Sequence, residues 1–284
     1  MKKLLACLVV TVCAPAFAAP DPEWRPLLDE RLSQFDVYLS YRGDAIMSVL
    51  EGKAPPSLAP IGLNPARQDV FTVTMRDGKP VLRISGEIYG CLSTREEFSD
   101  YHLRAKYKWG EKVWEPRLTE PKDSGILYHS RGEFGVDYWK SWAQAQEMNG
   151  MEKNTGEYWT IANVAIDIRA RPAADTKGVP RWDPAAPWMV FQSPNNHALA
   201  GSDEERAGEW NDIELLCLKD RCVHVVNGKV VMALKNARTV DGTSTSPMTG
   251  GRLQIQSEAA EVFFSDIEIR PMPAMPREYA ALFD

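Results

Sequence analysis

Little in this chain invites metal or nucleotide chemistry by pattern. Only 4 histidines occur among 284 residues, and none stands in an H-x-H or H-E-x-x-H arrangement, so a zinc ion held by clustered imidazoles is not expected. There is no G-x-S-x-G, no P-loop and no dinucleotide fingerprint. Beyond the N-terminus no run approaches the roughly 18 apolar residues that span a bilayer, so no membrane span is expected. Basic charge is short as well. With 33 Lys and Arg against 39 Asp and Glu the net charge is -6, which argues against nucleic acid as a partner, because phosphate binding wants clustered cations. A neutral polar ligand suits the chain better. No cofactor is expected, and the one exception, calcium held by carboxylates and backbone carbonyls, leaves no sequence signature. Nothing in the sequence fixes an oligomeric state.

Met1-Lys2-Lys3, the apolar run LLACLVVTVCAPAFA and the small residues around Ala16-Phe17-Ala18 read as a signal peptide over residues 1–18. A soluble protein exported to the periplasm or secreted is the expectation. Cys91, Cys217 and Cys222 remain after processing. LLCLKDRCVHV reads as two strands around a Lys-Asp-Arg turn, setting Cys217 across from Cys222; an oxidising compartment permits a bridge there, and the pattern leaves bridged and free thiols equally open. Cys91, left over, reads as a buried small hydrophobe.

Leu27, Leu28, Leu32 and Phe35 fall near helical spacing, and a Pro-rich APPSLAP follows, so residues 19–60 read as a helical and loop extension on a larger domain over 61–284. From Val70 onward the period changes to two. FTVTM, RDGKP and VLRISGEIYG form strand, turn and strand, with Asp77-Gly78 as the turn signal, and Asn227-Gly228 marks a second hairpin. In YHLRAKYKW, Tyr101, Leu103, Ala105, Tyr107 and Trp109 share one face, while His102, Arg104, Lys106 and Lys108 share the other. Many short strands with few helical stretches predict an all-β sandwich of two antiparallel sheets. Residues 170–209, rich in Pro, Asp, Asn and Gly, read as long loop shaping a ligand groove at a sheet edge.

The stretch AQEMNGMEK places Glu147 and Asn149 on one face of a strand over residues 144–151. Glu152 joins them only if Gly150 carries a bulge. Two carboxylates about 5 Å apart would then match a retaining glycosidase; the simpler reading is a surface strand with two solvated glutamates. Glu147-x-Asn149-x-x-Glu152 is similar to the E-x-D-x-x-E strand of laminarinase-type glucanases, with Asn149 where those have Asp. His129, on LYHS, has the side-chain chemistry for proton transfer, the alternative being a structural imidazole. His102 and His224 read as structural. RLQIQSE sets Gln254, Gln256 and Glu258 on one face, hydrogen-bonding partners for sugar hydroxyls or else a solvated surface. Trp139, Trp142 and Trp159 flank the Glu147 strand and offer flat faces to a sugar ring.

Five stretches taken in order, PVLRISGEIYGCLSTREEFSDYHLRAKYKWGE, DSGILYHSRG, AQEMNGMEKNTGEYW, GEWNDIELLCLKDRCVHVVNGKVV and GRLQIQSEAAEVFFSDIEIRPM, resemble the 3-keto-disaccharide hydrolase domain family over roughly Gln34 to Met272. That resemblance implies a concanavalin A-like jelly roll acting on, or binding, a saccharide. It differs from the family pattern E-x-Q-x-Q-E-G in keeping both glutamates while changing the amides and the glycine. The implied reaction needs a base for the C2 hydrogen beside a C3 ketone, an acid for the departing C1 oxygen and a polar cradle for the enolate. Glu147, Glu152 and His129 are the candidates for acid and base. Asn149, Gln256, Gln254, Lys108 and Trp159 are the candidates for binding substrate. A retaining endoglucanase and a lectin without catalysis remain the other two readings.

Overall fold

The computed structural model describes residues 22–66, 69–173, 176, 178–194 and 196–284; the signal peptide expected over 1–18 lies outside them. Period-two patterning produces the expected result, a concanavalin A-like jelly-roll sandwich of two curved antiparallel sheets. Among the described residues, one sheet has 12 strands and the other 9. At the centre of the larger sheet, Tyr101–Val113 lies between Asn211–Leu218 and Ala260–Pro271. In the smaller, Gly125–Arg131 lies between Gln144–Asn149 and Gly250–Ser257. Asp77 and Gly78 (φ 51° and 76°), like Asn227 and Gly228 (49° and 79°), take the left-handed pair that a tight hairpin requires.

Alternation decides what each face buries. Leu103, Ala105, Tyr107 and Phe264 of the larger sheet meet Ile126, Tyr128, Met148, Leu253 and Ile255 of the smaller in the main core. Arg104, Lys106 and Lys108 therefore project from the far side of the larger sheet. There Arg104 pairs with Glu268 and Lys106 with Asp212. His102 is structural on that face, 2.7 Å from Glu214 and edge-on to Trp24. A second apolar cluster, including Tyr38, Ile46, Tyr89, Leu127 and Trp142, lies on the other side of the smaller sheet. That sheet is thus covered on both faces, and its polar site sits within the second cover.

Two expectations about secondary structure need correcting. Phe35–Arg42 is not helix or loop but a strand paired with Ile88–Thr94 in the smaller sheet, and Arg25–Pro26 pairs with Ala260–Pro271. Leu27, Leu28 and Phe35 reach the main core from this extended chain; helical spacing over four apolar residues cannot be told from two short extended segments. Among the described residues of the segment, the helix is Gly43–Leu50. Residues 170–209 also contain the short strands Pro180–Trp182, Trp188–Gln192 and His197–Ala198.

Candidate active site

Glu147 and Asn149 point to the same side of Gln144–Asn149 because one residue separates them, while Met148 between them enters the main core. Gly125, directly opposite Asn149 in the ladder, has no side chain, and the space above it is used: a Cβ there would stand 2.6 Å from Gln256 Oε1 and 2.7 Å from Glu147 Oε1. Glycine lets these two side chains close over the strand between them. They form the floor of a groove of about 480 Å³ whose lining also includes Asn149, Asp123, Arg117 and Glu258.

Arg117 and Asp123 come from the loop that follows Tyr101–Val113, and Glu258 from the turn after Gly250–Ser257. The Arg117 guanidinium bridges both acids, contacting Asp123 Oδ2 and, at 2.7 Å, Glu258 Oε1. One cation thus serves two buried carboxylates, and Glu147 adds a third that makes no ion pair among the described residues. Burial disfavours the charged forms and the excess negative charge reinforces it. Glu147 is pushed well above the usual carboxylate range by burial, then by the charges of Glu258, Asp123 and Glu157. Glu258 is pushed up to about 8 by burial and by Asp123, against the pull of Arg117. Asp123 is raised by burial too, with Arg117 opposing. Burial, joined by mutual repulsion at Glu147 and Glu258, thus raises the proton affinity of all three acids.

Buried polar atoms normally find partners. Here Asn149 Oδ1, Gln256 Oε1, Asp123 Oδ1 and Arg117 Nε make no well-directed hydrogen bond among the described residues, although each is out of contact with solvent; Gln256 lies beside Glu147 and Asn149 beside Asp123. Four such atoms on four neighbouring side chains of one groove are hydrogen-bonding capacity left for a ligand or its water. Oxygen donors of this kind also suit a hard cation. Among the described His, Cys, Asp and Glu residues, the three whose ligand atoms come within 4.8 Å of one another are His129, Cys217 and Cys222, which lie elsewhere.

The walls are aromatic. Trp159 stacks on His197 with ring centroids 4.0 Å apart and planes 4° from parallel, and its Nε1 donates to Glu157 Oε1 at 2.6 Å. Glu157 also accepts from Asn149 Nδ2 at 3.1 Å and from Asn154. Burial pushes it up to about 8 despite these donors, and it sits behind the wall, orienting Trp159 and Asn149. Across the groove, Asp137 accepts backbone N–H bonds at 2.7 Å from Trp139, Ser141 and Trp142, and so folds the loop that carries Trp139 and Tyr138 to the rim. Trp142 anchors that loop through Nε1 to Gly90 O at 2.9 Å.

Of the residues singled out in the sequence, Glu147, Asn149, Gln256 and Trp159 meet in this groove, with Glu258, Trp139 and Trp142 beside them. Four others do not. Glu152 lies past the end of the strand: Gly150 makes no bulge but donates to Ser124 O at 2.6 Å, and Glu152 lies 3.9 Å from Lys122 Nζ in the following turn. The carboxylate pairing with Glu147 is thus made by Glu258. His129 is turned into the main core by a bulge, its neighbours being Tyr101 and Tyr128. Lys108 is on the wrong face of the wrong sheet. Gln254 faces the right way, but its amide is spent: Oε1 accepts from Cys91 Sγ and Ala143 N, and Nε2 donates to Ser130 Oγ at 2.6 Å. His224 is structural, buried, lowered to about 4 by desolvation and bonded to Gly156 O. Arg117, Asp123, Glu157 and His197 escaped the sequence reading because loop and edge-strand residues carry no periodic signal.

A sandwich with acids and indoles converging on one sheet face defines a carbohydrate-active protein of the concanavalin A-like type. The chain belongs to the 3-keto-alpha-glucoside-1,2-lyase-like domain family, which matches residues 23–270. Among solved structures, it is similar to a proposed glycosyl hydrolase from Parabacteroides distasonis, at 15% identity and TM-score 0.47, covering 88% of this chain and 100% of that one. It is also similar to the alginate lyase AlyC3, at 9% identity and TM-score 0.40, covering 84% and 89%. The carbohydrate-binding module CBM66 from Bacillus subtilis is similar at 8% identity and TM-score 0.40, covering 70% and 91%. At these values the likeness bears on no residue and no reaction. No curated protein matches the sequence.

Proposed function

We propose that this protein, exported to the periplasm, breaks the C1–O glycosidic bond of 3-keto-glycosides such as 3-keto-disaccharides. The C3 ketone acidifies the hydrogen at C2. A base removes that proton, the electron pair enters the enolate and then forms the C1–C2 double bond, and the C1–O bond breaks as an acid protonates the departing oxygen. Addition of water to the unsaturated sugar completes net hydrolysis.

The observation that carries the reading is the groove floor, where acids with raised proton affinities stand beside amide and guanidinium atoms that make no well-directed hydrogen bond among the described residues. Glu147, outside the ion pairs of Arg117, is the proton donor. Glu258, at about 8, has the proton affinity of an efficient base near neutral pH. Arg117 Nε, Gln256 and Asn149 are the cradle for the ring oxygens, and a sugar covering Trp159 and Trp139 would bury their faces. The retaining endoglucanase reading loses its geometric support with Glu152 outside the groove.

Incubation with a 3-keto-disaccharide and with the same disaccharide lacking the keto group tests this. Release of monosaccharide from the first alone is the expected outcome. Cleavage of both points to an ordinary glycosidase, and saccharide binding with no turnover to a lectin. A supporting variant is Gly125→Ala: its methyl would displace Glu147 and Gln256 and press on Met148 O at 3.1 Å. It should cost on the order of 10²-fold in kcat/KM while circular dichroism keeps its β-sheet spectrum and the melting temperature falls modestly, overpacking costing about 1–3 kcal/mol.

A further inference from the structure

Far from the groove, in the main core, His129, Cys217 and Cys222 bring their ligand atoms within 4.8 Å of one another. All three are fully buried, at 0% exposure. Cys217 and Cys222 face each other across a hairpin of the larger sheet in a C-x4-C spacing, and both thiols are free. His129 reaches them from the smaller sheet by an unusual route. The ladder slips on both sides of Gly125–Arg131 around this residue, and His129 takes a left-handed φ of 53°, which residues other than glycine adopt uncommonly. The bulge puts its ring on the core side, like that of Tyr128 just before it.

Among the described residues, neither ring nitrogen of His129 makes a well-directed hydrogen bond; the polar group its ring faces is the thiol of Cys217. A neutral imidazole carries one donor and one acceptor and, when buried, normally satisfies them. The hydroxyl of Tyr101, opposite Cys217 in the ladder, sits beside that thiol, and its ring lies 6.2 Å from that of His129. A histidine in a left-handed conformation aimed at two buried thiols, with a phenol oxygen beside them, gathers more polar groups than packing alone requires.

We propose that His129, Cys217 and Cys222 bind a structural zinc ion that ties the two sheets together. Two thiolates and a neutral imidazole sum to two negative charges, so a divalent cation leaves the dry core neutral, which burial demands. Sulfur and imidazole are the donors zinc prefers, and Tyr101 Oη offers a fourth position. Binding releases the two thiol protons, and because the site has no opening to solvent the ion enters as the chain folds. This site is independent of the groove and of the reaction assigned to it.

Metal analysis of the full chain, purified without chelator from zinc-supplemented culture, tests the proposal together with Cys217→Ser and His129→Asn. One zinc per chain in the wild type, lost in both variants, is the expected result, along with a lower melting temperature in each. Refolding the wild type with cobalt(II) gives a readout that survives a variant's failure to fold. Thiolate ligation produces a near-ultraviolet charge-transfer band that carboxylates of the groove cannot produce. Wild type free of zinc, zinc retained in both variants, cobalt uptake without the sulfur band, or a Cys217–Cys222 disulfide in the non-reduced mass would each overturn it.

Discussion

Glu147→Gln is expected to lower kcat on a 3-keto-disaccharide by about 10²- to 10⁴-fold, the usual contribution of a positioned general acid. The substitution keeps the shape of the side chain and its place over Gly125, so KM should change little. It removes the proton. Glu147 lies 3% exposed among other acids, and burial and their charges raise it well above the carboxylate range, which favours its acid form. The leaving group supplies the discriminating measurement. A 3-keto-glycoside with an acidic phenol as aglycone needs little protonation as the C1–O bond breaks, and the variant should lose far less rate on it than on the disaccharide. Equal losses on both substrates would assign Glu147 to proton removal at C2 or to substrate positioning, and an unchanged rate would remove it from the chemistry.

The ligand-free protein should be more stable near pH 5 than near pH 9, by on the order of several kcal/mol, since each unit of pKa shift is worth about 1.4 kcal/mol. Glu258 and Glu157 rise from 4.5 to about 8 on folding, and Glu147 rises in the same direction. A carboxylate whose folded pKa is raised binds its proton more tightly in the native state. Its favourable contribution is complete below about 4.5, and it is lost progressively as pH climbs through about 8. His224, lowered to about 4 by desolvation, and Cys217, held at about 6 against desolvation by its neighbours Cys222 and His129, oppose the decline inside this interval, and the three raised glutamates outweigh them. Asp29, Asp36 and Glu204, with lowered values, act below the interval. Urea midpoints measured from pH 5 to pH 9 would reveal the decline, and Glu258→Gln should flatten it. Stability that is level or rises over that interval would mean that water or a cation already compensates the buried charge.

Much of the sandwich and part of the groove were legible because they depend on local rules. Asp77-Gly78 and Asn227-Gly228 mark hairpins through the backbone conformations they accept. The alternation in Tyr101–Trp109 predicts one apolar and one charged face, as found. The same alternation sets Glu147 beside Asn149 and Gln256 beside Gln254, so four residues of the correct sheet face could be read directly. It also placed Gln254 in the groove, where the loop amide of Ala143 occupies it instead.

What the sequence determined by itself was the strand faces and turns, since a side chain's direction along a strand follows from the pleat of its own backbone. Only the tertiary structure decided which acid stands with Glu147. Glu152, five residues away, is carried off by the turn that follows Asn149, whereas Glu258, more than a hundred residues on, returns in the turn after a strand of the same sheet, under the grip of Arg117. It also decided His129, whose bulge reverses the face that alternation assigns. Convergence of distant loops and a slipped register are outcomes of packing between elements, and no periodicity within one segment encodes where another segment arrives.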